Sequence, residues 1–590
     1  MMPMNANGAQ RRLSKWMPTG AEIIVSLVCA LCFAMAFRYI VDGNCPPSWR
    51  LALDAVILWV AFLAAFAIGR RILGGRLQCG EMPNALRRLC RALTDSRHPL
   101  ILTTAVIVLF WSPVVILTYP GMICYDTVHM LVMYSTGIGG GYITAHHPVF
   151  DTMLFGAIIV SVAKLTGSWQ LGAFAYTALQ VVGTAAAFSY ALRYAHKVLK
   201  ASDARFLVTL AFLCLFPLFP IFATYMSKDS LFSAFFVLFM VEFAELVRTR
   251  GACLSGAGAI ARFIMVCLLC CLTKKLGMYI VIGSLFIVVI AIRRSMLKTL
   301  VCTLVVAVLM VGVYPAAVSA TGIAPGGKQE ALSVLFQQTA RYVRHHPDDV
   351  TPQEREAIDN LLGYDTLSDR YQFDSADPVK GYQELAKKPD RVYLEYLRAW
   401  LAQGLRHPMT YFHAAAALDA RWFSFERIEP LFAWEWNPVF DGLGVDPSVA
   451  SRPALTARTT ELVSRCYYFV SGIPVVNILF AMGFWATLLP AFALSTLLQK
   501  RCRGHRLLFV PVALSIMLGM WLSPTPTGPG NGIRYLIPVI YSMPFVLSWC
   551  RFAMTDDKEQ PSLQAKHAKD APRASGVNRE KQGRPSVSAR

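Results

Sequence analysis

The chain has 590 residues, of which 55% are hydrophobic and 16% charged, and its mean hydropathy is +0.46. That is too apolar for a soluble protein of this length, so the composition places it among polytopic helical membrane proteins. A formal charge of +20 would suggest nucleic acid in a soluble chain. Here the basic excess clusters in short connections between apolar segments, which is the pattern that sets membrane topology, and nucleic acid is excluded as a partner.

In chain order, Arg11, Arg12 and Lys15 precede an apolar run from Ile23 to Ile40. The run is longer than a signal-peptide core and reads as an uncleaved first span. Apolar segments then follow one another at 20–41, 51–69, 100–118, 148–166, 169–192, 206–226, 229–247, 257–273, 276–292, 298–317, 470–497, 507–524 and 533–550. Each is close to the roughly 17–25 residues a bilayer span requires. With the N-terminus inside, the arginine-rich connection 70–98 is inside and the stretch 119–148, which has no Lys or Arg, is outside. If 148–166 lies in the outer interface rather than crossing, every later basic connection falls inside as well, including Arg193–Arg205, Lys500–Arg506 and the region after Arg551.

The expectation is therefore an all-α protein with about twelve spans from thirteen apolar segments, in the plasma membrane, with both termini cytoplasmic. Residues 1–19 form a cytoplasmic N-terminus and 20–317 an N-terminal membrane domain with a candidate active-site loop at 119–168. Residues 318–469 are a polar extracytoplasmic domain, 470–552 the last membrane helices, and 553–590 a disordered basic tail rich in Lys, Arg, Ser and Pro. Within 318–469, PQEREAIDNLL and KKPDRVYLEYLRAWLAQGL read as helices packed on their neighbours. The second repeats Val392, Leu394, Tyr396, Leu397, Trp400 and Leu401 at helical spacing. No internal repeat is evident, which argues against a transporter built from inverted halves.

Chemistry-bearing residues gather in the connections assigned to one face. The stretch Tyr119–Pro148 holds Asp126, His129, His146, His147 and a glycine cluster, and Asp151 follows it. TYMSKDS holds Lys228 and Asp229, LTKKLG holds Lys274 and Lys275, KQEALSVLFQQTARYV holds Gln337, Gln338 and Arg341, and PTPTGPGNGIRY holds Arg534 and Tyr535. Cations on the outer face oppose the topological bias. Any one of them is explained by snorkelling, but five together point to an anion site, with arginine suited to bidentate phosphate contact. Asp126 and Asp229, taken singly, read as helix N-caps. As a pair at a bundle mouth they are candidates for a general base or, with histidine, for a divalent metal, although the spacing assigns none. The fifteen cysteines match no metal spacing, and Cys45 and Cys124 would face an oxidising compartment without their pairing being determined.

The pattern YPGMICYDTVHM followed by HHPVFDTMLFG resembles the GT-C superfamily of integral-membrane glycosyltransferases, which includes protein mannosyltransferases and lipid A aminoarabinose transferases. More closely, the chain is similar to an uncharacterised family of bacterial polytopic proteins of GT-C-like architecture. That likeness rests on YPG-x4-D at Tyr119–Asp126, HHP at His146–Pro148, SKD at Ser227–Asp229, KKLG at Lys274–Gly277, QQTAR at Gln337–Arg341, DPVK at Asp377–Lys380 and RYLIP at Arg534–Pro538. A single acid in YDT departs from the paired acidic motif, so a second carboxylate would come from Asp229 or Asp151.

The resemblance implies a sugar carried on a polyprenyl phosphate and an acceptor in the cell envelope. It implies catalytic roles for Asp126 and Asp229, phosphate binding by Lys228, Lys274, Lys275, Arg341 and Arg534, and substrate binding by His129, His146, His147, Gln337, Gln338 and Tyr535. The alternatives are a transporter or flippase for an anionic lipid or solute, and a non-catalytic envelope assembly protein.

Overall fold

The structure, a computed structural model, describes residues 17–75, 82–123, 125–136, 144–292, 296–324, 326, 328, 331–380, 388–430, 432, 454–522 and 532–555. The N-terminal basic cluster, the glycine cluster at 137–141, Cys124, Asn531 and the tail from 556 lie outside the described residues, and with them the expectations that concern them.

Among the described residues the regular elements are helices, apart from one two-residue parallel strand pair and three isolated bridges. Nine helices among the described residues are long and apolar enough to cross a membrane, or ten with one bent pair, and three shorter apolar helices accompany them. The protein is thus a multi-pass membrane protein. Every apolar segment read from the sequence carries helix, with two differences in detail. The segment 206–226 is two helices, Asp203–Leu215 and Leu218–Thr224, bent by 53°. Pro217, which lacks a backbone N–H and disfavours helix in the residue before it, stands at the break. The segment 470–497 is not one helix either. Helix Ala454–Gly472 begins well upstream, a 3-10 turn covers Val476–Phe480, and helical structure resumes at Phe484.

Helix Val149–Thr166 has the length and apolarity of a span, whereas charge distribution alone places that segment in the interface. The stretch before it is not an unstructured loop, since it contains strand β1 (Met122–Ile123) and helix Tyr125–Thr136.

Burial orders the bundle from the centre outward. Helix Lys228–Thr249 has 78% of its apolar window buried and Ile533–Thr555 has 72%, whereas Pro99–Leu117 has 17%. The first two pack on each other, and Lys228–Thr249 also packs on Trp169–Lys197 and Ala257–Thr273. The peripheral helices turn apolar side chains such as Ile101, Leu109 and Ile116 outward, as a lipid-facing surface requires.

A smaller polar domain sits between the membrane segments. Helices Ser333–His345, Pro352–Leu362, Tyr364–Arg370, Asp390–Arg406 and Pro408–Leu418 close around Phe336, Ile358, Leu367, Val379 and Tyr396, all fully buried. Helix Pro352–Leu362 begins with Pro at its first turn and a reciprocal capping box between Thr351 and Glu354, which satisfies two otherwise unpaired backbone donors. Helix Asp390–Arg406 forms where its periodicity predicts, but its phase differs. Tyr393, Tyr396, Ala399 and Gln403 face the core, while Leu394 and Leu401 remain exposed. The segment has two apolar faces, and the larger aromatic rings take the interior.

Candidate functional site

The site is assembled by the two-residue strand pair. β1 (Met122–Ile123) lies parallel to β2 (Tyr225–Met226), with Met122 opposite Tyr225 and Ile123 opposite Met226. Asp126 follows β1 by three residues and Lys228 follows β2 by two, so one short ladder brings together residues about a hundred positions apart. Two side chains buried in helix Trp169–Lys197 brace the ladder. The Gln180 amide donates to the carbonyls of Ala223 and Tyr225 at 2.8 and 2.9 Å. Thr177 Oγ1 donates to Pro120 O at 2.9 Å. Gly121 adopts φ +130°, and a Cβ there would lie 2.3 Å from Thr177 Oγ1, so the turn into β1 requires glycine. Thr127 then ties the next helix to Met226 O at 2.5 Å.

Asp126 lies inside the first turn of helix Tyr125–Thr136 rather than capping it. Its Oδ2 accepts from Lys228 Nζ at 3.0 Å and from Arg534 Nη1 at 2.5 Å. Arg534 arrives from the opposite end of the chain, on the turn Gly532–Tyr535 that leads into helix Ile537–Thr555. Burial opposes ionisation of Asp126, but the charges of Lys228 and Arg534 overcome it and hold its carboxyl well below the usual range. Among the described residues these hydrogen bonds engage Oδ2 only, and the side chain keeps 23% exposure. Lys228 also donates to His147 Nδ1 at 2.9 Å, which makes Nε2 the protonated nitrogen of His147, pointing to His129 Nδ1 at 3.5 Å. Burial and the Lys228 charge hold the His147 imidazole neutral, with its pKa lowered to about 2. His146 packs edge-on to His147 at 4.8 Å between ring centroids.

A second ion pair lies beside the first. Ser227, not Asp229, is the N-cap of helix Lys228–Thr249. Asp229 sits one residue inside the helix, accepts from Ser227 Oγ at 3.1 Å, and pairs with Lys274. Their side chains are only 2% and 6% exposed. Lys274 occupies the single extended position between helices Ala257–Thr273 and Lys275–Ala291. Gly277 permits that tight reversal, because a Cβ there would sit 2.2 Å from Cys270 O. The Lys274 ammonium also lies over the Tyr535 ring at 4.1 Å and the Phe232 ring at 5.7 Å, a cation–π arrangement. Lys228 and Arg534 are in electrostatic range of both Asp126 and Asp229, so the two pairs form one network.

Lys275 diverges from its neighbour. It is exposed, and its Nζ lies where a Cβ on Gly326 would come within 3.0 Å, beside the backbone of Ala145 and His146. Gly326 belongs to the strand of chain entering the polar domain, which bonds back through Ala145 N to Ala324 O at 2.7 Å.

Ten of the thirteen expected site residues thus gather here: Asp126, His129, His146, His147, Lys228, Asp229, Lys274, Lys275, Arg534 and Tyr535. Gln337, Gln338 and Arg341 do not bond to this network among the described residues. Gln337 donates to Gln372 O, Gln338 joins Tyr411 O and the Trp400 indole at 3.3 and 3.0 Å, and Arg341 donates to Tyr371 Oη at 2.9 Å. Helix Ser333–His345 turns these polar groups into the polar domain itself, where they hold its helices together.

One contributor escaped the sequence reading. Gln180 carried a signal, a polar amide in the middle of an apolar segment. Asp151 was noted only as a reserve carboxylate. It is fully buried, lies within electrostatic range of Lys228 and Asp229, and neither of its oxygens has a hydrogen-bond partner among the described residues. Two triads among the described residues bring metal-ligating atoms within 4.8 Å of one another, Cys90–His196–Asp203 and His346–Asp349–His407.

These features define a polytopic helical membrane protein with a charged, partly enclosed cluster built by the ends of its innermost helices. Residues 138–570 match a family of unknown function (DUF6020), and the chain belongs to that family. The match takes in His146, His147, Lys228, Asp229, Lys274 and Arg534 and begins after Asp126. Nothing matches the chain among curated proteins or among solved structures.

Proposed function

We propose that this protein is a membrane glycosyltransferase that moves a sugar from a polyprenyl-phosphate carrier to a cell-envelope acceptor at the outer face of the membrane, on a GT-C-like architecture of about twelve spans. The observation that carries the reading is the convergence of Asp126, Lys228, Asp229, Lys274 and Arg534 from four distant segments into one network. A merely topological role for the cations would leave them scattered at span ends.

The donor phosphate occupies the space beside Lys228, Arg534 and Lys275. It competes with Asp126 for the first two, and they stabilise the charge left on the phosphate as the sugar departs. That competition has a consequence for the carboxylate. While Lys228 and Arg534 are both bound to it, Asp126 is a poor proton acceptor. Once the phosphate draws them away, its proton affinity rises toward the normal range, and its unengaged oxygen takes the acceptor hydroxyl's proton as the hydroxyl attacks the anomeric carbon with inversion. Asp229 and Lys274 hold the network in place from the buried side.

One observation favours a second reading, transport or flipping of an anionic lipid or solute. The bent pair Asp203–Leu215 and Leu218–Thr224, together with the buried Asp151 carboxylate, which has no hydrogen-bond partner among the described residues, resembles the broken helices and buried charges of transporters.

The test is to reconstitute the protein in vesicles with polyprenyl-phosphate sugars and an envelope extract, and to measure release of free polyprenyl phosphate. Asp126→Asn, with folding verified separately, is expected to lower turnover by 100-fold or more. Near wild-type turnover in that variant removes Asp126 as the base. Donor movement between leaflets without release of polyprenyl phosphate establishes the second reading instead.

A further inference from the structure

We propose that His346, Asp349 and His407 form a binding site for one divalent transition-metal ion of the Zn2+ class in the polar domain, separate from the Asp126–Asp229 network. Their ligand atoms all lie within 4.8 Å of one another, a spacing that small rotamer adjustments bring to metal-binding distance.

The backbone presents these side chains in a prepared way. His346 terminates helix Ser333–His345, Asp349 lies on the 3-10 turn Pro347–Asp349, and His407 joins helix Asp390–Arg406 to helix Pro408–Leu418. Each histidine precedes a proline, which disfavours the helical region for it and ends the helix there. Their backbones match, with φ −136° and ψ 52° at His346 and φ −128° and ψ 66° at His407, both outside the helical region. Each also closes its helix with a backbone bond, His346 N to Tyr342 O at 2.8 Å and His407 N to Gln403 O at 2.9 Å. The imidazoles stack at 3.8 Å with 20° between planes. His407 Nε2 meets Asp349 Oδ2 at 2.9 Å, and His346 Nε2 meets Thr410 Oγ1 at 2.9 Å.

The electrostatics suit a cation. Two helices end here, and their C-terminal carbonyls carry partial negative charge. Asp349 adds a full one. The guanidinium of Arg406, the residue before His407, is neutralised by both oxygens of Glu354 at 2.6 Å. Two imidazoles with one carboxylate are a borderline set that prefers Zn2+ to Mg2+ or Ca2+ and leaves a fourth position for water. A bound ion would tie three helix ends of the domain together.

The experiment uses the full-length protein in detergent, stripped with a chelator and titrated with Zn2+ and separately with Co2+. The wild type is expected to bind one ion more per chain than the double variant His346→Ala/His407→Ala. Asp349→Asn is expected to weaken that site tenfold or more. Cys90→Ser, which disrupts the other triad, is expected to leave it unchanged. The Co2+ form should show visible ligand-field bands that survive Cys90→Ser and contain no sulfur-to-cobalt charge transfer. His407→Gln, which keeps the stacked shape, replaces the double variant if the latter does not fold. Equal ion counts in wild type and folded variants, or no binding by either, overturn the proposal.

Discussion

Breaking the Lys274–Asp229 pair is the most direct way to ask whether the network is built as described. Both side chains are almost fully buried, so neither charge can be rescued by water. Removing one partner from such a pair typically costs about 3–5 kcal/mol, because the other charge is left desolvated and unpaired. In Asp229→Asn the Lys274 ammonium still lies over the rings of Tyr535 and Phe232. Those contacts retain about 1 kcal/mol, so the expected loss is about 2–4 kcal/mol. The double variant Asp229→Leu/Lys274→Met replaces both charges with apolar groups of similar length. It should recover most of that loss, since well-packed apolar substitutes for a buried ion pair are often neutral or stabilising. The assay is a double-mutant cycle of Asp229→Leu, Lys274→Met and their combination, reading equilibrium unfolding of the purified protein in mixed micelles of rising denaturing-detergent fraction. A coupling of about 2 kcal/mol or more is expected. Singles that add up to the double within about 0.5 kcal/mol would refute the buried pair.

His147 should make stability depend on pH. Its imidazole stays neutral when folded, with a pKa lowered to about 2, whereas the unfolded chain takes a proton near the ordinary imidazole value of 6.5. Below that value the unfolded state binds the extra proton, so stability falls as the pH drops, by about 1.4 kcal/mol per unit at most. His147→Gln should flatten the melting-temperature profile between pH 6.5 and 5, and an unchanged slope would contradict the buried, neutral imidazole. Gly121→Ala should destabilise the protein by about 1–3 kcal/mol and impair the site. It combines an unfavourable positive φ with a clash against Thr177. Restoration by Thr177→Ser, which removes only the methyl group, would show that the clash was not with the hydroxyl.

The sequence by itself determined the class of the protein, because hydropathy reports the solvent a segment can tolerate and each span's backbone bonds are made within the span. It also located the helices Pro352–Leu362 and Asp390–Arg406, whose signals are local: a capping box, a proline at the first turn, and apolar spacing. It went further in singling out Lys228, Lys274 and Arg534, since the charge pattern of the connections expects few cations at those span ends.

Only the tertiary structure decided which of these charges meet. Read singly, Asp126 and Asp229 are indistinguishable from helix caps. They become a network through a two-residue parallel ladder, a glycine pressed against Thr177 and a tight turn at Gly277, none of which leaves a periodic trace. The same limit explains Arg341, Gln337 and Gln338, whose polarity was legible but whose direction was not. A helix shows which residue types lie on each face, while which face turns inward depends on the neighbours it meets. Asp151 follows the same rule: a carboxylate in the first turn of an apolar helix is visible in the sequence, but its lack of a hydrogen-bond partner among the described residues is a property of everything packed around it.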